Sequence, residues 1–308
     1  MFQLYDIHGR IDTIAEETAV TVGVFDGIHR GHQALLSQLQ PPTSDLQPLV
    51  VTLTSHPSFV LGRRDSEYWL DDSEEHLRLL FESGAKYVAV LPFTREVAQL
   101  SACEMARLLY KKLNMRSLLL GYDSRFGSKQ DDDFDRLPQL ATELGFTLQR
   151  GEPFLVEGAP ISSSRIRESL TSGNIEETAS LLGRPYSLTG KVLHGRGVGH
   201  TLGFPTANIS LEGTRKMLPK EGVYMVSVKS YELGDKSYIG MANLGIIPTF
   251  DINKPTLEVH LLNFNGDLYG KTVTVEFHHR LRDIVRFDSS EALQHQLQQD
   301  LEQLKQWS

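Results

Sequence analysis

The chain has 308 residues, 40% of them apolar, 8% aromatic and 23% charged, enough ordinary globular sequence for two cores, which excludes disordered and fibrous classes. The formal net charge is −8, with the whole acidic excess ahead of residue 185 and a neutral remainder; neither part has the basic stripe of a nucleic-acid binder. No apolar run approaches the ~18 residues of a membrane span, residues 1–10 include polar and charged residues where a secretion leader needs an apolar stretch, and a lone Cys103 excludes an internal disulfide or a Cys-built zinc site.

A cytoplasmic location follows as an expectation, with no membrane and no nucleic acid as partner; homo-oligomerisation stays open. In chain order, residues 19–24, 49–53, 87–91, 117–120 and 146–148 are short, nearly continuous apolar or β-branched runs that predict strands. Between them, residues 31–39, 73–81 and 101–113 carry apolar side chains at helical spacing. Ser73 is the expected N-cap of the second helix, with Glu74 and Glu75 in its first turn, and Ser101 with Glu104 forms a capping box on the third. Buried strands alternating with helices predict a doubly wound, Rossmann-like parallel sheet covered on both faces, over residues 1–185. From residue 186 glycine and proline become frequent, and short strands are expected at 190–194, 222–229, 238–242, 256–262 and 271–278, with a Gln-rich helix over 289–306. That pattern predicts a small antiparallel β-barrel or sandwich with one terminal helix over 186–308.

The segment from Gly23 through Phe25, Asp26, His29 and Gly31 to His32 follows the first strand and opens the first helix. Open α/β sheets bind ligands at the carboxyl ends of their strands. The glycines admit a phosphate close to the backbone, and the helix start supplies free N–H groups. His29 and His32, three apart, face one point from the first turn, and two imidazoles suit a phosphate that gains negative charge. This segment resembles the HxGH signature of the nucleotidyltransferase superfamily. Ile161-Ser162-Ser163-Ser164-Arg165-Ile166-Arg167 resembles the ISSTxIR motif of the same superfamily, with Ser164 in place of the usual Thr. The resemblance implies that Ser163, Ser164 and Arg165 hold the β and γ phosphates of ATP and the leaving pyrophosphate. Residues 121–127, with Asp123, Phe126 and Gly127, resemble the GxDFxFG segment of prokaryotic FAD synthetases, and Ser55-His56-Pro57 resembles part of their PHP segment. His56, Asp123 and Phe126 are thereby expected at the flavin.

The second strong segment runs from Gly195 through Gly197, Gly199, Gly203 and Pro205 to Thr206 and Asn208. A glycine arch of this kind wraps a polyphosphate with backbone N–H groups. Thr206 and Asn208, two apart in extended chain, aim their oxygens one way and suit Mg²⁺ held jointly with ATP phosphates. With Gly222-Val223-Tyr224, Asn243-Leu244-Gly245, residues 257–262 and Leu268-Tyr269-Gly270, the set resembles riboflavin kinase. That resemblance implies that Glu258 is the general base toward the ribityl 5′-hydroxyl and that residues 282–287, with Arg282 and Phe287, cover the flavin. The whole chain is thus similar to the bifunctional prokaryotic riboflavin kinase/FAD synthetase family. The implied activity is Mg-ATP-dependent phosphorylation of riboflavin to FMN by the second domain and adenylylation of FMN to FAD by the first. His200 and Ile247 stand where that family commonly has Arg. They keep open the reading of a monofunctional FAD synthetase with a kinase-inactive flavin-binding barrel; a non-enzymatic flavin sensor is a separate alternative.

Overall fold

The computed structural model describes residues 2–39, 45–55, 57–62, 68–124, 126–128, 134–194, 203–230, 232, 234, 236–249 and 252–305, without the side chains of 57–58, 246–249 and 252–254. The chain forms two compact units, Met1–Ser163 and Ser164–Ser308.

The first unit opens with β1 (Gln3–Asp6) and β2 (Gly9–Ile11). It continues through β3 (Thr18–Gly23), α1 (Arg30–Ser37), β4 (Gln47–Leu53), α2 (Pro57–Val60), α3 (Ser73–Glu82) and β5 (Tyr87–Leu91). Then come α4 (Arg95–Gln99), α5 (Ala102–Lys112), β6 (Met115–Leu120), α6 (Leu137–Leu144), β7 (Thr147–Arg150) and the hairpin β8 (Leu155–Val156) and β9 (Ala159–Pro160). The sheet order is β2-β1-β5-β4-β3-β6-β7. Strands β3 to β7 are mutually parallel, while β1 pairs antiparallel with β5 and β2 with β1. Strand pleat explains the continuous apolar runs. Leu49, Val51, Tyr87, Ala89, Leu118 and Leu120 join the cluster under α5 and α6. Their alternates Val50, Val88 and Leu119 join Leu36, Leu79 and Leu80 on the opposite face. The chain winds from β3 outward to β5, then returns to β6 on the other side of β3. That reversal leaves a crevice at the carboxyl end of β3.

Two local features differ from the sequence expectation. Asp72, rather than Ser73, caps α3, its carboxylate accepting from the Glu75 N–H at 2.9 Å. Ser101 and Glu104 do form the reciprocal box at the start of α5.

Helix α7 (Ser163–Ser172) starts on the last residue of the first unit and otherwise belongs to the second, which also contains α8 (Ile175–Leu182). It then runs through β10 (Tyr186–Leu193), β11 (Ala207–Ile209), β12 (Gly222–Lys229), β13 (Ser237–Thr249), β14 (Ile252–Leu261), β15 (Thr272–Arg282) and α9 (Ser290–Lys305). The strands close an antiparallel barrel in the order β10-β11-β14-β13-β12-β15. Closure removes exposed sheet edges. Leu188, Val226, Val228, Ala242, Leu244, Leu257, Val259, Val275 and Phe277 are among its buried apolar residues. Helix α8 packs on β10 and β15, so the charge break near residue 185 falls inside the second compact unit. No helix among the described residues is long and apolar enough to cross a membrane.

Candidate active sites

The turn between β3 and α1 is held in an unusual backbone shape. Phe25, Gly27 and Ile28 have φ of 52°, 82° and 35°. For the two side-chain-bearing residues that left-handed conformation costs about 1–2 kcal/mol each. Surrounding groups fix it. The Ile28 N–H donates to the Phe25 carbonyl at 3.0 Å, and the Gln33 side chain donates to the Ile28 carbonyl at 2.9 Å. Residues 26–27 and 70–71 clasp each other reciprocally: Leu70 N–H donates to the Asp26 carboxylate at 2.8 Å, and Gly27 N–H to the Asp71 carboxylate at 3.1 Å. The Ser163 hydroxyl donates to the Asp26 carbonyl at 3.0 Å.

The result presents both histidines together. His29 caps α1, its Nδ1 accepting from the His32 N–H at 3.3 Å. The two rings stack with centroids 3.6 Å apart, and Phe25 meets His32 edge-on at 5.2 Å. Gly31 makes the stack feasible, because a Cβ there would lie 3.1 Å from the His29 ring. The Nδ1 of His32 is buried with no hydrogen-bond partner. Burial, then the neighbouring His29 and His76, hold the His32 ring well below the usual histidine range, so it is neutral at pH 7. His76 moves the other way. Burial pulls it down, but Asp71 by charge and hydrogen bond, then Asp26 and Glu75, outweigh that and raise it.

A cleft of about 1140 Å³ opens in front of the turn. Gly23, Phe25, Asp26, His32, Asp123, Phe126 and Ser163 all line it. Asp123 is exposed on its wall, while Phe126 is buried and continuous with the core under α5. His56 lies outside the described residues. Arg165, in the second compact unit, sets its Nε and Nη2 on the Glu177 carboxylate of α8 at 3.1 and 2.8 Å. Ser164 opens that unit beside it.

The barrel places its polar residues by register. Asn208 of β11 pairs with Glu258 of β14, which pairs in turn with Asn243 of β13. Directly paired residues share a sheet face, so the carboxylate stands between two amides. Thr206 precedes β11 with the same parity as Asn208. The side chains of Thr206, Asn208, Asn243 and Glu258 make no hydrogen bond or ion pair to another described residue. Unpartnered neutral oxygens beside a carboxylate form a donor set that fits a hard divalent cation. A second cavity of about 550 Å³, lined by Pro205, Tyr238, His260, Phe264, Leu301 and Lys305 among others, lies along the same strands. Gly203 follows the glycine arch, with φ of 82°; Gly195, Gly197, Gly199 and His200 lie outside the described residues, as does the side chain of Ile247. Arg282 is committed to α9, its Nε and Nη2 reaching the buried Asp300 carboxylate at 3.0 and 2.7 Å. Its guanidinium lies 6.0 Å from the centre of the Phe287 ring.

Sequence reasoning missed Thr52 and Asp71, which brace the turn from 28 and 44 residues away, and His76, which links them; none carries a motif. It also left Asn243 without a role, which only the strand register supplies.

The FAD synthetase family model matches residues 11–165, and the riboflavin kinase family model matches residues 182–308. The bifunctional riboflavin kinase/FMN adenylyltransferase of Escherichia coli strain K12 is 37% identical over 96% of this chain and 94% of its own. That of Pseudomonas fluorescens is 36% identical over 91% and 90%. A crystal structure described as a macrolide-efflux protein from Streptococcus pneumoniae is 33% identical, with a TM-score of 0.86, and covers 96% of this chain and 97% of that one.

Proposed function

The chain belongs to the family of bifunctional riboflavin kinases/FMN adenylyltransferases, and we propose that residues 186–308 carry out the kinase step and residues 1–185 the adenylyl transfer. Riboflavin is phosphorylated by ATP to FMN, and FMN is adenylylated by a second ATP to FAD with release of pyrophosphate. One observation carries the two-site reading: the stacked His29–His32 pair belongs to one compact unit and the Asn208–Glu258–Asn243 row to the other.

In the adenylyl transfer, the FMN phosphate attacks the α-phosphorus of ATP in line. Neutral His32, with His29 stacked on it, donates to the α-phosphate oxygens as their charge grows. Ser163, Ser164 and Arg165 hold the leaving pyrophosphate, as the resemblance of residues 161–167 to the superfamily motif implies. A cleft of about 1140 Å³ has room for a nucleotide and a second substrate, with Phe126 and Asp123 on the flavin side. Such chemistry is mostly positioning and electrostatics. In the kinase, Glu258 takes the proton from the ribityl 5′-hydroxyl as it attacks the γ-phosphorus of ATP, and ADP leaves. Thr206 and Asn208 would hold Mg²⁺ together with ATP phosphates, and the ion when bound neutralises phosphate charge. Arg282 orders the loop up to Phe287 over the flavin through its tie to α9.

The test is to separate the flavins after incubation with Mg-ATP, starting from riboflavin and, separately, from FMN. FAD from both is the expected result. FAD from FMN alone would make the barrel kinase-silent, as His200 and Ile247 would suggest, and no product from either would overturn the reading.

A further inference from the structure

Behind the phosphate turn lies a closed polar ring that takes no part in the chemistry just described. Asp71 accepts from the Gly27 N–H at 3.1 Å. His76 of α3 reaches Asp71 through Nδ1 at 3.0 Å and Thr52 of β4 through Nε2 at 2.9 Å. The Thr52 hydroxyl donates to the Val24 carbonyl at 3.2 Å. The ring therefore touches the turn at two backbone atoms, the carbonyl just before the strained Phe25 and the N–H two residues after it.

Donor counting links these contacts to one proton. A threonine hydroxyl has a single hydrogen. While it lies on the Val24 carbonyl, Nε2 of His76 must be the donor to Thr52. Nδ1 faces a carboxylate and also donates, so this arrangement needs the imidazolium. In neutral His76, with Nδ1–H kept on Asp71, Nε2 becomes a bare acceptor. The Thr52 hydrogen turns to it, and the Val24 carbonyl loses its donor.

We propose that Asp71, His76 and Thr52 are positioning residues for the phosphate turn, and that loss of the His76 proton releases the Val24 carbonyl and slackens the turn that aims His29 and His32. The proposal rests on the reading of this unit as an FMN adenylyltransferase. The charged and titratable groups around His76 are Asp71 ahead of α3, Asp26 in the turn, Glu75 on α3 itself, and His32 on α1 with its partner His29. The carboxylates prevail and His76 is raised. The sign follows: the ring's stabilisation is complete below the ordinary histidine pKa of about 6.5 and is lost as pH rises through the higher folded value.

Two measurements on the full chain test this. The first is kcat and KM for FAD formation from FMN and ATP across neutral to alkaline pH. Wild-type kcat is expected to fall through one ionisation above the ordinary histidine range. His76→Gln and Thr52→Val should lower the neutral-pH kcat about tenfold, the worth of one charge-assisted hydrogen bond, leave KM little changed and abolish the alkaline limb. His76→Lys, a cation that does not titrate there, should restore most of kcat while the limb stays absent. A wild-type limb surviving in Thr52→Val would overturn the proposal.

The second measurement holds even where a variant fails to fold. In substrate-free wild-type protein, the His76 ring nitrogens are titrated by NMR while the Gly27 amide is followed. The amide should shift with the His76 midpoint, and an amide indifferent to that titration would refute the coupling. Coupling without FAD formation at any pH would preserve the switch and remove the adenylyltransferase reading beneath it.

Discussion

In the proposed adenylyl transfer, His32 acts as a neutral ring. Burial first, then the charges of His29 and His76, keep it from holding a second proton, so it offers the substrate a directed hydrogen bond rather than a charge. Its buried Nδ1 has no partner in the protein, which is costly unless an incoming group supplies one. The α-phosphate in transfer is the proposed partner. One preorganised donor of this kind is worth about 10²–10³ in rate. His32→Ala should therefore slow FAD formation from FMN by about that factor while riboflavin phosphorylation is unchanged, as timed flavin assays would show. An equal loss in both steps would mean general damage to the fold. That His29 and His32 meet at the start of the first helix was legible in the sequence, since residues three apart share one helix face. The neutrality of His32 was not, because burial and the approach of His76 exist only in the folded chain.

The C-terminal helix is tied to the barrel by charge. Arg282 at the end of β15 grips Asp300 in the middle of α9, and Gln296 adds a third donor at 2.9 Å. Asp300 is 1% exposed, so removing its partner strands a buried carboxylate. Arg282→Ala should then destabilise the second unit by about 3 kcal/mol, seen as a lower midpoint in thermal unfolding, and raise the KM for riboflavin only through the loosened loop. If instead KM rises with the unfolding midpoint unchanged, Arg282 acts on the flavin directly. A sequence motif could mark Arg282 as important but not say that its first partner lies 18 residues ahead. The same limit explains the elements that were missed. Strands β4, β5 and β6 are continuous apolar runs because both faces are buried. Strand β11 is only three residues long, amid glycine and proline, and is held by its neighbours rather than by propensity. Strands β1 and β2 form an exposed antiparallel edge, where no apolar run is required.

At the scale of the molecule, two chemistries share one chain, the product of one is the substrate of the other, and the proposed sites draw on different residues. FMN made on the barrel must be bound afresh by the α/β unit, whether it comes from the same chain, another copy or solution. Glu258→Gln removes the proposed proton acceptor of the kinase, a role worth about 10²–10⁴ in rate, and Glu258 is not among the residues that line the cleft of the first unit. The variant should make little FMN or FAD from riboflavin, yet convert supplied FMN to FAD at the wild-type rate. His32→Ala should do the reverse, accumulating FMN. An equal mixture of the two variants should then make FAD from riboflavin, with FMN from the His32→Ala chains feeding the intact adenylyl-transfer sites of the Glu258→Gln chains. A lag that shortens as protein concentration rises would mark free FMN as the intermediate. Should the mixture stay silent although each variant keeps its own half-reaction, FMN would have to pass between sites without release, and the two units would be partners in transfer rather than independent catalysts.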